Sequence, residues 1–141
     1  MFDTVRAITS MLYSGTLTRC PDIRFIFAHN GSAVSLLKNR IAALWNTKPK
    51  FAERIPNGPI PELQKLYYET AGAALPECFS PLSQLVSCRN ILFGTDYPLG
   101  RITVSQTVSG LHEYGFPQSD VRMVESENAL RLFPNLIKSF G

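Results

Sequence analysis

The sequence holds two histidines in 141 residues, and one of them closes an apolar run. Arg24-Phe25-Ile26-Phe27-Ala28 leads straight into His29. Imidazole exchanges a proton near neutral pH, so His29 suits a general acid/base or a metal ligand. The alternative is a ring that hydrogen-bonds a loop carbonyl and shapes the turn. Asp96 stands just beyond a second run, Ile91-Leu92-Phe93-Gly94. Its carboxylate suits a hard or borderline cation, or else an Asx turn ahead of Pro98. Glu69 lies near the end of a third run, Leu66-Tyr67-Tyr68-Glu69-Thr70, and reads as a supporting group that pairs with a nearby cation or arginine. Arg40, 11 residues past His29, has the planar fork that grips a carboxylate in bidentate fashion; the alternative is a solvated helix arginine. Asn30 and Gly31 can turn backbone N–H groups toward an anion at a helix N-terminus, which makes Asn30 a candidate substrate contact. His112, beside Glu113, reads as a solvated residue on a helix face.

These residues share a position in the chain pattern: each of the three short apolar runs ends on one of them. A short run without polar alternation suits a strand covered on both faces, as in a parallel sheet. Helical spacing fills the segments between. Residues 3–19 read as a helix with a weak point at Gly15 and a stop at Pro21. Ser32 can cap a helix with the apolar stripe Val34, Leu37, Ile41, Leu44 and Trp45. Residues 46–61 carry four prolines and read as an excursion loop with one helical turn at Phe51–Arg54. Ala71-Gly72-Ala73-Ala74 makes a turn, and Pro76 opens a helix to about Ser87. Two more helical segments follow, about 103–114 and 119–133. The order α, βα, βα, βαα predicts an α/β fold with a parallel sheet and right-handed crossovers. Active groups in such folds sit beyond the C-terminal strand ends, and His29, Glu69 and Asp96 all fall there.

Composition narrows the function classes. Hydrophobic residues make up 45% and charged residues 18%, which is globular composition. The net charge of +3 comes without a dense basic run, so no nucleic-acid partner is expected. No stretch approaches the roughly 18 apolar residues of a membrane span. Phosphate loops of the GxGxxG or GxxxxGK[ST] type and the GxSxG elbow are absent. Cys20, Cys78 and Cys88 form no CxxC pair and read as reduced thiols of a cytoplasmic protein. A complete (β/α)8 barrel needs about 200 residues or more, so this sequence can hold only part of one.

Four stretches together, FDTVRAITSMLYSGTLTRCPDIRFIFAHNGSAV, LYYETAGAA, ILFGTDYPLG and ENALRLFP, resemble the C-terminal half of the amidohydrolase-related decarboxylases. That group includes aminocarboxymuconate semialdehyde, γ-resorcylate and 6-methylsalicylate decarboxylases. The resemblance runs from residue 2 to about 136. It implies a partial TIM-like (β/α)8 barrel made of about the last three βα units, a preceding helix and C-terminal helices, with 1–141 as one C-terminal portion. It implies a mononuclear metal site, Zn2+ or in some members Mn2+, with Asp96 as a ligand and no organic cofactor. It makes His29 the acid/base and Arg40 a contact to the substrate carboxylate across a homodimer interface. The implied reaction is loss of CO2 from an aromatic or dienoic carboxylic acid. Two features depart from the family pattern. The family's HGGG is His29-Asn30-Gly31-Ser32 here, and its HxH pair and a further histidine ligand have no counterpart in these residues. Two other readings stand beside this one. The chain can be a non-catalytic remnant that binds a subunit through an open sheet edge, with Trp45, Phe51 and Phe79 as anchors. It can also belong to a metal-dependent hydrolase of the wider superfamily.

Overall fold

The computed structural model describes residues 2–135; Met1 and residues 136–141 lie outside the described residues. Among the described residues, nine α-helices and three strands follow in the order αα, βααα, βα, βααα. α1 (Phe2–Tyr13) and α2 (Thr16–Arg19) are separated by Gly15, whose φ of 76° breaks the helix expected over 3–19. β1 (Ile26–Phe27), β2 (Tyr67–Glu69) and β3 (Ile91–Leu92) form one parallel sheet in the order β1-β2-β3. Phe27 pairs with Tyr68 and Tyr68 with Ile91, so these three share a face.

That face carries the core. Ile8 and Leu12 of α1, Val34 and Ile41 of α3 (Val34–Ala43), Phe79 and Leu82 of α6 (Pro76–Ser83) pack in one apolar cluster with Tyr68 and Ile91. Pleating sends Ile26, Tyr67 and Glu69 to the opposite face. Ile26 is 40% exposed there. The expectation that the first strand is covered on both faces is therefore corrected: helices cover one face of β1 only.

Three further expectations are revised. Residues 46–61 are not one loop. They hold α4 (Pro49–Arg54) and α5 (Pro59–Gln64), each with a proline in its first turn, where the missing N–H has no intrahelical partner to lose. Ser32 does not cap α3. It takes φ 60°, and Ala33 is the cap residue. The stripe on α3 is split: Val34 and Ile41 are buried, whereas Leu37 and Leu44 are exposed along with Leu36.

α7 (Val104–Glu113) starts on a capping box of Thr103 and Gln106. The C-terminal segment runs through α8 (Gln118–Arg122), a wider π turn at Met123–Glu127, and α9 (Asn128–Leu132). It lies along the free edge of β3. The Phe93 N–H donates to the Val124 carbonyl at 3.1 Å. The Asn128 amide donates to the Cys88 and Ile91 carbonyls, each at 2.7 Å. The sheet edge expected to be open is thus covered at β3. At β1 it is not: Tyr67 N–H bonds the Phe25 carbonyl, so by alternation the backbone groups of Ile26 face the side with no strand among the described residues. Phe79 is fully buried, which removes it as an exposed anchor, whereas Trp45 and Phe51 are partly buried against the core. No helix among the described residues is long and apolar enough to cross a membrane.

Candidate active site

His29, Glu69 and Asp96 come together where the three strands end, because parallel strands of one sheet share a direction. The chain after β1 makes an unusual turn. His29, Asn30, Gly31 and Ser32 all have positive φ, between 52° and 68°. Each non-glycine residue in this region costs on the order of 1–3 kcal/mol, so the surroundings must hold it. Three contacts do so. The Ser32 N–H donates to the His29 carbonyl at 2.7 Å. The Asn30 amide donates to the Ala73 carbonyl at 2.8 Å. At Gly31 a Cβ would run into the Tyr68 ring.

The His29 ring hydrogen-bonds through Nδ1 to the Ala71 carbonyl at 2.6 Å. A carbonyl only accepts, so Nδ1 carries the hydrogen and Nε2 of the neutral ring keeps its lone pair. The loop-shaping reading of His29 is observed in this contact, and Nε2 has no hydrogen-bond partner among the described residues. Glu69 Oε1 accepts the Ala71 N–H at 2.8 Å. Its side chain lies across Gly94, where any Cβ would collide with the carboxylate. Burial pushes the Glu69 carboxyl above its ordinary value. The Ala71 N–H, the His29 charge and the His29 N–H pull against that shift, and the Asp96 charge adds to it. Glu69 thus senses both of the other site residues.

Asp96 is exposed, with φ 60°. The alternative, an Asx turn, does not form, since residue 98 is a proline without an N–H; the hydrogen bond here runs from Tyr97 N–H to the Thr95 hydroxyl at 3.3 Å. Among the described residues the Asp96 carboxylate accepts no hydrogen bond. Asn30 is 2% exposed; its amide N–H2 donates to Ala73 and braces the loop, while its buried Oδ1 has no hydrogen-bond partner. Arg40 lies elsewhere, exposed in the last turn of α3. His112 is on α7, where it bonds Glu125 at 3.1 Å. Sequence reasoning missed Thr70 and Gly94. The buried Thr70 hydroxyl donates to the Gly94 carbonyl at 2.9 Å and accepts its N–H at 3.0 Å, tying β2 to β3 beneath the site. Nothing in the sequence distinguishes Thr70 from any other threonine at a strand end.

Stable zinc sites use three or four protein ligands. Among the described residues no three His, Cys, Asp or Glu side chains gather to hold a metal ion. The donors of this chain do not fit a resident metal by themselves.

Comparison with known proteins gives concordant results. A 6-methylsalicylic acid decarboxylase of Penicillium expansum is 28% identical, covering 96% of this chain and 44% of the relative. A 2-amino-3-carboxymuconate-6-semialdehyde decarboxylase of Caenorhabditis elegans is 30% identical, covering 75% of this chain and 27% of the relative. A dihydroxybenzoic acid decarboxylase of Polaromonas, solved with bound manganese and the inhibitor 2-nitroresorcinol, superposes with a TM-score of 0.79 at 18% identity. That match covers 93% of this chain and 40% of the solved one. The chain spans less than half the length of these relatives. The amidohydrolase family model matches residues 2–134, and with that span covering the sheet, the strand-end loops and the C-terminal helix, the chain belongs to the amidohydrolase family.

Proposed function

We propose that residues 1–141 are the C-terminal portion of a larger (β/α)8 barrel that catalyses metal-dependent, non-oxidative decarboxylation of an aromatic or unsaturated carboxylic acid. The observation that carries this reading is the convergence of His29, Glu69 and Asp96 at the ends of three adjacent parallel strands. Asp96 is then one ligand of a Zn2+ or Mn2+ ion whose other ligands lie in the rest of the longer protein. The named relatives, all decarboxylases, support the reaction class, and the manganese in one solved relative supports the metal class. The three cysteines are free thiols, which fits a reducing, cytoplasmic setting.

His29 supplies the proton chemistry. With Nδ1–H fixed on the Ala71 carbonyl, Nε2 is the exchangeable position. Protonated there, it donates to the ring carbon that bears the carboxylate. The bond to the carboxylate then breaks, its electron pair restores the ring, CO2 leaves and hydrogen takes its place. Arg40 belongs to a different surface. Leu36, Leu37 and Leu44 around it are exposed, which supports a homodimer contact that carries Arg40 to the partner's substrate carboxylate.

The test is CO2 release from 6-methylsalicylate and related hydroxybenzoates by the longer protein. His29→Asn is expected to lower kcat by about 10²- to 10⁴-fold, the usual worth of a positioned acid/base. Asp96→Ala is expected to remove both metal and activity. A longer protein that releases no CO2 from any such acid, or an Asp96→Ala variant with full metal content, overturns the proposal.

A further inference from the structure

The Ala71 peptide is gripped on both sides. Its N–H donates to Glu69 Oε1 at 2.8 Å, and its carbonyl accepts from His29 Nδ1 at 2.6 Å. One peptide group therefore links the carboxylate to the imidazole. Hydrogen bonds in such a chain polarise one another, and an acceptor on the N–H makes the carbonyl a better acceptor. Glu69 is itself held in place. It lies across Gly94, where only a residue without Cβ leaves room for the carboxylate. Gly94 is pinned through both its N–H and its carbonyl to the Thr70 hydroxyl. Gly72 completes the pocket on the other side: its φ is +59°, and a Cβ there would stand 3.4 Å from His29 Nδ1.

We infer that Glu69 is a positioning residue which, through the Ala71 peptide, holds His29 in the tautomer with hydrogen on Nδ1, and that Gly94 exists to seat Glu69. The carboxylate touches no reacting atom. It sets the direction in which Ala71 presents its carbonyl, and so decides which ring nitrogen keeps a free lone pair. What that lone pair does for a substrate rests on the decarboxylase reading, but the tautomer does not.

The experiment is ¹⁵N NMR of the full chain with ¹⁵N-labelled histidine, reading the ring-nitrogen shifts that separate a protonated Nδ1 from a protonated Nε2. His112, which pairs with Glu125 on the surface, serves as internal control, and amide dispersion reports folding. The native chain is expected to show His29 with hydrogen on Nδ1. Glu69→Gln keeps an oxygen for the Ala71 N–H and is expected to keep that pattern. Glu69→Ala removes the oxygen, Gly94→Ala displaces it without altering Glu69, and both are expected to shift His29 toward a mixture of tautomers while His112 is unmoved. If Glu69→Ala does not fold, the comparison of Gly94→Ala with Glu69→Gln decides alone. A His29 signature unchanged in the folded variants, or one that shifts as much in Glu69→Gln, overturns the inference. A native tautomer pattern in a longer protein without decarboxylase activity instead overturns the functional reading and leaves this one standing.

Discussion

At the scale of single residues the site is defined by which polar groups are already engaged. His29 has one ring nitrogen bound, the Asn30 amide N–H2 is engaged while its buried Oδ1 has no partner, and the Asp96 carboxylate accepts no hydrogen bond among the described residues. Glu69 lies between burial and three favourable contacts, and burial wins. Because the folded state then holds the Glu69 proton more tightly than the unfolded state, the group lowers stability as pH rises through its folded pKa. Glu69→Gln is therefore expected to stabilise the chain at pH 7. The gain is expected to vanish as pH falls toward the ordinary value of 4.5, as urea denaturation at several pH values will show; a gain that grows in acid would contradict this sign. A second expectation concerns Cys88. Burial first, and then Asp120, push its thiol up to about 12. At pH 8 only about one molecule in 10⁴ carries the reactive thiolate. Iodoacetamide is expected to label Cys88 far more slowly in the folded chain than in urea, as peptide mapping will show. Labelling at equal rates would place Cys88 in an environment different from the one described.

At the scale of elements, the C-terminal helix does more than complete the core. Its π turn leaves the Val124 carbonyl free to accept the Phe93 N–H, and Asn128 then satisfies two carbonyls at the start of β3. Asn128→Ala would leave the buried Ile91 carbonyl without this partner, whereas the Cys88 carbonyl keeps the Ile91 N–H. An orphaned buried acceptor costs about 1–3 kcal/mol, and a loss of that size in urea denaturation is expected. Faster amide exchange at Phe93 should accompany it, since the same segment covers that N–H. Loss of stability without any change at Phe93 would separate the two roles. The apolar periodicity of residues 119–133 announced this helix, but not its π turn. The extra residue in the turn answers to the spacing between Val124 and Asn128 that β3 demands, and β3 is remote in sequence. In the segment from residue 46, only the turn at Phe51–Arg54 of α4 was legible and α5 was not, because prolines at helix starts and prolines in loops look alike.

At the scale of the molecule, one sheet edge is sealed and the other is open. β1 ends the sheet with Ile26 at 40% exposure and Ile23 at 54%. Free strand edges of this kind template association. The 141-residue chain is expected to self-associate with rising concentration in sedimentation velocity, and Ile26→Lys is expected to suppress it. An unchanged profile for Ile26→Lys would move the association to another surface, such as the exposed leucines of α3.

By itself the sequence determined the alternation of elements, the parallel sheet, and the placement of His29, Glu69 and Asp96 at strand ends. Those follow from local periodicity and from the positions of a few charged residues after apolar runs. Tertiary structure alone decided the rest. That Asn30 braces the loop, that Gly94 makes room for Glu69, and that the Ala71 peptide joins Glu69 to His29 all depend on contacts between β1, β2 and β3. Apart from the local Ala71–Glu69 bond, such contacts join residues about 25 to 43 positions apart, a separation over which no sequence period carries information. The covered edge of β3 and the bare edge of β1 have the same origin: both strands read as short apolar runs, and only packing decides which of them a helix protects.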